Sequence, residues 1–205
     1  GLRGLIERTS AARDAAADEP KRRFFDIALT GLKALRTVNR KCFARLPADV
    51  QAAHQNSCIV EKPETFYEAL ETVWFFHEHT GALDGVSVIF FGHLDRILYP
   101  FYTRDLAVGR LTEAEARDLV AKFMLMVDAR VPSHRRQREL YNAGEIGDTL
   151  MLGGTDPDTG KPVFNELTRM FLDLHHDLKL IYPKIHCRVS KDSPAEYLEL
   201  ASVPL

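Results

Sequence analysis

Apolar positions recur every three or four residues through the first eighty residues of the chain. Phe24, Phe25, Ile27, Ala28, Leu32 and Leu35 form a broad stripe that predicts a helix from about Pro20 to Phe43. A shorter helix is predicted over 48–55. Thr65 caps a third, with Phe66, Ala69, Leu70, Val73, Trp74 and Phe75 on its apolar face. The pattern then changes over 81–91, GALDGVSVIFF. Two glycines precede a run rich in β-branched and aromatic residues, too short for a helix, which predicts a loop passing into an extended segment.

Residues 92–116, GHLDRILYPFYTRDLAVGRLTEAEA, carry the sharpest local signals. Pro100 fixes its own φ and biases Tyr99 away from the α region, so a helix running from about Leu94 should stop or kink there. Gly109 punctuates, and Thr112 with Glu115 makes a capping box that opens a helix reaching about Arg130. The polar, glycine-punctuated stretch 131–148 is predicted as a surface excursion. A brief strand over Thr149 to Leu152 leads to the turn-rich GGTDPDTGKP. A helix over Asn165 to His176 is followed by an extended run over Leu180 to Val189, broken by Pro183. Ser193 and Glu196 form a second capping box. Helices alternating with short strands predict a helix-rich α/β fold with parallel strands.

Composition narrows the function classes. With 205 residues, 45% of them apolar, the chain can bury a real core. A net charge of -2 gives no nucleic-acid footprint, and the HRRQR cluster at His134 to Arg138 is short and followed by Glu139. Three cysteines, Cys42, Cys58 and Cys187, fit a reducing cytoplasm better than a disulfide framework. No stretch offers the ~18 apolar residues of a membrane span, and no signal peptide is evident, so a cytoplasmic protein is expected. The chain starts without Met inside an amphipathic pattern and stops soon after a helix opens. An interior slice of a longer protein is expected.

Several motifs fail on chemistry. In GGTDPDTGK five residues separate Gly154 from Gly160, and Pro162 stands where a phosphate loop needs Ser or Thr. As a calcium loop it places Gly160 at a ligand position and Leu167 where the closing Glu belongs. His77 and His79 project about 200° apart on a helix, and His175 and His176 about 100° apart, so neither pair chelates from one face and no metal is expected. Ser87 lacks the second glycine of a nucleophile elbow and an identifiable base.

Four blocks, in order, carry a resemblance. KPETFYEALETVWFFH, GHLDRILYPFY with its following capped helix, MLGGTDPDTGKPVFNELTRMFLDLH and IYPKIHCRVSKDSPAEYLELA together resemble the pyruvate formate-lyase-like part of the glycyl radical enzymes. The match runs from about residue 62 to the end. Residues 1–61 match only as a helical lead-in. The resemblance implies a ten-stranded β/α barrel built from two antiparallel five-stranded halves. Residues 62–205 would supply first half-barrel elements, with 86–91, 149–152 and 185–189 as wall segments and 1–205 as part of one domain, incomplete at both ends.

The resemblance also implies chemistry. Such enzymes abstract hydrogen from a small organic substrate with a thiyl radical, in lyase, decarboxylase, dehydratase or formate acetyltransferase reactions that oxygen destroys. A protein-based glycyl radical is installed by a separate activase using S-adenosylmethionine and an iron-sulfur cluster. A homodimer is implied for the full-length enzyme, with no bound cofactor, no nucleic acid and no membrane. Cys58-Ile59-Val60-Glu61 and Arg188-Val189-Ser190-Lys191 imitate the radical motifs imperfectly, so the radical residues are expected outside the chain, which alone should be inactive. Ser87, Val88, Phe90 and Phe91 occupy the positions that reach substrate, where His93 replaces the usual Arg and Arg96 the usual Gln. This apolar approach leaves a polyol's hydroxyls unpaired, at about 1 to 3 kcal/mol each, and fits an aromatic or less polar substrate. The rival expectation is a helical scaffold or interaction domain, or an inactive remnant.

Overall fold

The computed structural model describes residues 1–53, 59–84, 89–130 and 148–202. They fall into two units, Gly1–Phe75 and Phe76–Leu205.

The first unit is helical. α1 (Leu2–Asp14) packs on α2 (Glu19–Phe43), and α3 (Ala48–Ala53) follows. Asp18 caps α2 by accepting from Lys21 N–H at 2.8 Å, with Pro20 in the first turn. The predicted stripe is turned from its expected position. Leu29 and Asn39 are the buried residues of α2, whereas Phe24 and Ile27 are each 66% exposed. Leu29 and Asn39 share a face with the partly covered Phe25, Leu32 and Leu35, and Phe24 and Ile27 lie about 80° and about 140° from its centre. The backbone of Leu2 and Arg3 donates to Ile59 and Val60. α4 (Phe66–Asp84) opens with a capping box in which Glu68 N–H donates to Thr65 Oγ1 at 3.1 Å while Glu68 Oε2 accepts from Thr65 N–H. The expected loop at 81–84 is helical, because α4 continues to Asp84.

The second unit is built on a parallel three-stranded sheet in the order β1 (Phe90–His93), β2 (Thr149–Gly153), β3 (Lys184–Arg188). β1 therefore sits later than the expected 86–91 segment, of which 86–88 lie outside the described residues. β1 and β2 are connected through α5 (Leu94–Ile97), α6 (Tyr99–Ala107) and α7 (Glu113–Arg130). The helix breaks at Leu98, just ahead of the expected Tyr99-Pro100 position; Tyr99 itself is helical and Pro100 sits in the first turn of α6, where its missing N–H costs nothing. Thr112 and Glu115 form the expected box. α8 (Glu166–Asp177) lies between β2 and β3 and starts at Asn165, which accepts from Thr168 N–H at 2.9 Å.

Asp128 on α7 fixes the approach to β3 by accepting from Ile181 and Tyr182 N–H. α9 (Ala195–Ser202) ends the described chain. Its predicted box is replaced: Ser193 Oγ accepts from Ser190 N–H, and Glu196 reaches Arg169 at 2.5 Å. No helix among the described residues is long and apolar enough to cross a membrane.

Asp148 overturns part of the surface reading of 131–148. It is 2% exposed, accepts from Ile89 N–H at 3.0 Å and lies 2.7 Å from His77 Nε2. Its main-chain oxygen accepts from Lys184 N–H. One residue thus gathers the starts of all three strands. Residues 131–147 lie outside the described residues.

Register separates the two faces of the sheet. Leu150 pairs with Ile185 and Leu152 with Cys187; Leu150 and Leu152 are buried and Ile185 and Cys187 half-covered. In-register neighbours point the same way. On the other face Phe90, Thr149 and Lys184 form one row and His93, Met151 and His186 the next, with Arg188 beyond. Lys184, His186 and Arg188 are all exposed.

Candidate functional site

In parallel sheets ligands gather at the carboxyl ends of the strands, here His93, Gly153 and Arg188. The Asp95 carboxylate, fully buried, joins that end together. Its Oδ2 accepts from Gly153 N–H at 2.8 Å and Thr168 Oγ1 at 2.9 Å, and its main-chain oxygen accepts from Asn165 Nδ2 at 2.9 Å. Burial pushes its pKa up, against those two bonds and the nearby His93 and Arg96. Asp95 Oδ1 is buried with no hydrogen-bond partner.

Arg96, one residue on, turns back over the end of β2. Its Nη2 donates to Gly153 O at 2.5 Å, while its buried Nε donates to nothing. Gly153 and Gly154 make the approach possible, with φ of +70° and +81°. A Cβ on Gly154 would stand 3.0 Å from Arg96 Nη2 and 3.2 Å from Arg188 Cβ. The two arginines therefore flank one bare glycine. His93 Nδ1 is also buried and unpartnered. Burial lowers the His93 pKa, and the charges of Arg96 and Arg188 push the same way against Asp95, which favours the neutral ring.

Beneath this end Tyr197 donates to Leu152 O at 3.0 Å and Arg188 O at 3.2 Å. Burial raises its pKa, and burial likewise pushes up the neighbouring Cys187 thiol. Both stay neutral and act as packing, on a strand whose alternate residues are exposed.

The sequence-predicted positions separate. Phe90 is 65% exposed on the open face. Phe91 takes the other side, stacked on His77 with centroids 4.9 Å apart and edge-on to Phe123 of α7 at 5.4 Å. A register shift between Phe90 and Gly92 accompanies this divergence. Ser87 and Val88 lie outside the described residues. Sequence reasoning did not assign Arg96, Lys184, His186 or Arg188 to a site. The alternation K-I-H-C-R at 184–188 was the available signal, since period two puts its three basic residues on one face.

Residues 6–203 match the family model described as pyruvate formate lyase-like. The chain belongs to that family. It is 30% identical over 156 residues to trans-4-hydroxy-L-proline dehydratase of Clostridioides difficile, covering 75% of this chain and 19% of that protein. It is 31% identical over 152 residues to isethionate sulfite-lyase of Nitratidesulfovibrio vulgaris, covering 68% and 17%. A solved glycyl radical enzyme from Archaeoglobus fulgidus superposes with a TM-score of 0.74 at 25% identity, covering 98% of this chain and 28% of that one. The chain thus spans about a fifth of the length of these curated relatives. Its helix-rich parallel α/β architecture is that of part of a glycyl radical enzyme β/α barrel.

Proposed function

We propose that this chain supplies wall strands and covering helices to the barrel of a glycyl radical enzyme, with the open face of β1–β3 toward the reaction space. The observation that carries the reading is a parallel sheet with helices on one face and, on the other, exposed Phe90, Lys184, His186 and Arg188, within a family match over 6–203. The radical-bearing glycine and cysteine lie in other parts of the full-length protein. A separate activase with S-adenosylmethionine and an iron-sulfur cluster installs the radical, a small organic substrate loses hydrogen to a thiyl radical, and the enzyme works as a homodimer in the cytoplasm.

Phe90 offers the substrate an apolar surface, consistent with an aromatic or weakly polar body. Phe91 contributes from behind, by holding β1 on α4 and α7, and Ser87 and Val88 belong to the approach that precedes them. The test is anaerobic activation of the full-length protein by its activase and S-adenosylmethionine. A glycyl radical doublet in the electron paramagnetic resonance spectrum is expected. A protein that stays radical-free while a known family member activates under the same conditions overturns the reading in favour of a non-catalytic remnant.

A further inference from the structure

We propose that Arg36, Arg40 and Glu7 form a site, on the helical first unit, that binds a phosphate group, free or carried on a hydroxylated compound. All three residues belong to Gly1–Phe75 and none to the unit that carries the sheet. The inference goes beyond the enzyme reading and does not depend on it.

Three segments build the cavity. Arg3 and Glu7 stand one turn apart on α1, Arg36 and Arg40 one turn apart on α2, and Val60 closes one side. Together they line a space of about 520 Å³, within the range of small-molecule sites. The walls are tied to one another. α1 packs on α2, Leu2 N–H donates to Ile59 O at 2.7 Å, and Arg3 N–H donates to Val60 O at 2.9 Å.

The charges in this space are unbalanced. Arg3 is neutralised by Glu61. Among the described residues neither the Arg36 nor the Arg40 guanidinium takes part in an ion pair or hydrogen bond, and the Glu7 carboxylate does not either. Like charges at positions i and i+4 of a helix repel. The last turn of α2 gives Arg40 the negative end of the helix dipole, but Arg36 lies a turn further back, where that field has faded. Two guanidiniums against one carboxylate leave the lining net positive. A phosphate dianion relieves the repulsion and accepts from both arginine forks.

Glu7 decides which oxyanion is taken. An ionised carboxylate accepts hydrogen bonds and donates none. Sulfate has no hydrogen to offer it and is repelled, whereas hydrogen phosphate keeps an O–H and a sugar phosphate brings hydroxyls. Val60 is the one apolar residue among the described lining residues, so a body that fills the remaining space is polar.

The experiment titrates the full-length protein, without its radical, by calorimetry at neutral pH and constant ionic strength. Inorganic phosphate, ribose 5-phosphate, sulfate and ribose are compared. Phosphate or ribose 5-phosphate is expected to bind about tenfold or more tightly than sulfate and ribose, and Arg36→Gln and Arg40→Gln each to weaken that binding about tenfold. Arg23→Gln removes the same charge from α2 at an exposed position outside the cavity, and is expected to leave the affinity unchanged. Glu7→Gln is expected to erase the preference over sulfate. Tighter binding of ribose 5-phosphate than of phosphate assigns the site to a phosphate ester, and the reverse, or equality, to free phosphate. Thermal unfolding without anion checks that each variant folds; if one arginine variant does not, the other carries the decision. Sulfate or ribose binding as well as the phosphates, a preference that survives in Glu7→Gln, or folded arginine variants that bind like Arg23→Gln overturn the site.

Discussion

Gly92 and Gly153 have nearly the same backbone, φ +69° and +70°, and different surroundings. A Cβ on Gly92 would meet nothing within 4 Å, whereas one on Gly153 would lie 2.2 Å from the Tyr197 hydroxyl. Gly92→Ala is expected to cost about 1 kcal/mol, the left-handed penalty alone. Gly153→Ala adds displacement of a buried tyrosine and should cost about 3 kcal/mol or more; urea midpoints of the two variants measure the difference. Asp95 makes a prediction in pH. Its native pKa is raised, so the native state binds that proton more readily than the unfolded chain, and the stabilisation present at low pH is lost as pH rises through the native value. Asp95→Asn cannot titrate. The stability of the parent protein relative to this variant should therefore fall as pH rises above the ordinary aspartate range, and a difference that is flat or rises would remove the account. No local pattern marks Asp95 as buried, because its partners Gly153, Asn165 and Thr168 are far away in sequence.

Caps and junctions decide where the elements begin. Thr112 and Glu115 are three residues apart, and their reciprocal bonds were legible because both partners lie in one turn; Thr112→Ala should destabilise the protein by about 1 kcal/mol. Asn165 does more than its capping motif says, since Nδ2 also donates to Asp95 O. Asn165→Asp keeps the cap oxygen and loses that donor, so its unfolding midpoint should fall between those of the parent and Asn165→Ala. Ser193 and Glu196 show the reverse, an equally good local motif whose carboxylate is drawn to Arg169 instead. Asp148 joins three elements at once. Asp148→Ala leaves the buried His77 ring without this partner and Ile89 N–H without its acceptor, and about 3 kcal/mol of lost stability is expected in chemical denaturation.

For the whole molecule the sheet itself is the constraint. Among the described residues β1 and β3 each pair only with β2, which leaves both outer edges without a strand. Phe90, Ile181 and Val189 are exposed large apolar residues on or beside these strands. Bare edges and exposed apolar side chains favour association. Residues 1–205 expressed alone should therefore elute from size-exclusion columns in a concentration-dependent way, while the full-length protein keeps a fixed stoichiometry. A monodisperse monomer of residues 1–205 across about a hundredfold range of concentration would contradict this.

The sequence by itself determined the local elements and the family resemblance. A helix break close to Pro100, the Thr65 and Thr112 caps and the turn at 153–162 all follow from bonds and dihedral limits within a few residues. Only the tertiary structure decided which groups meet at the site. Strand alternation sends Phe90 and Phe91 to opposite faces, but packing decided that Phe91 and not Phe90 is covered, against His77 and Phe123, and Arg96 and Arg188 are 92 positions apart and flank one glycine. Those outcomes depend on strand register and on packing between distant segments, which local periodicity does not encode.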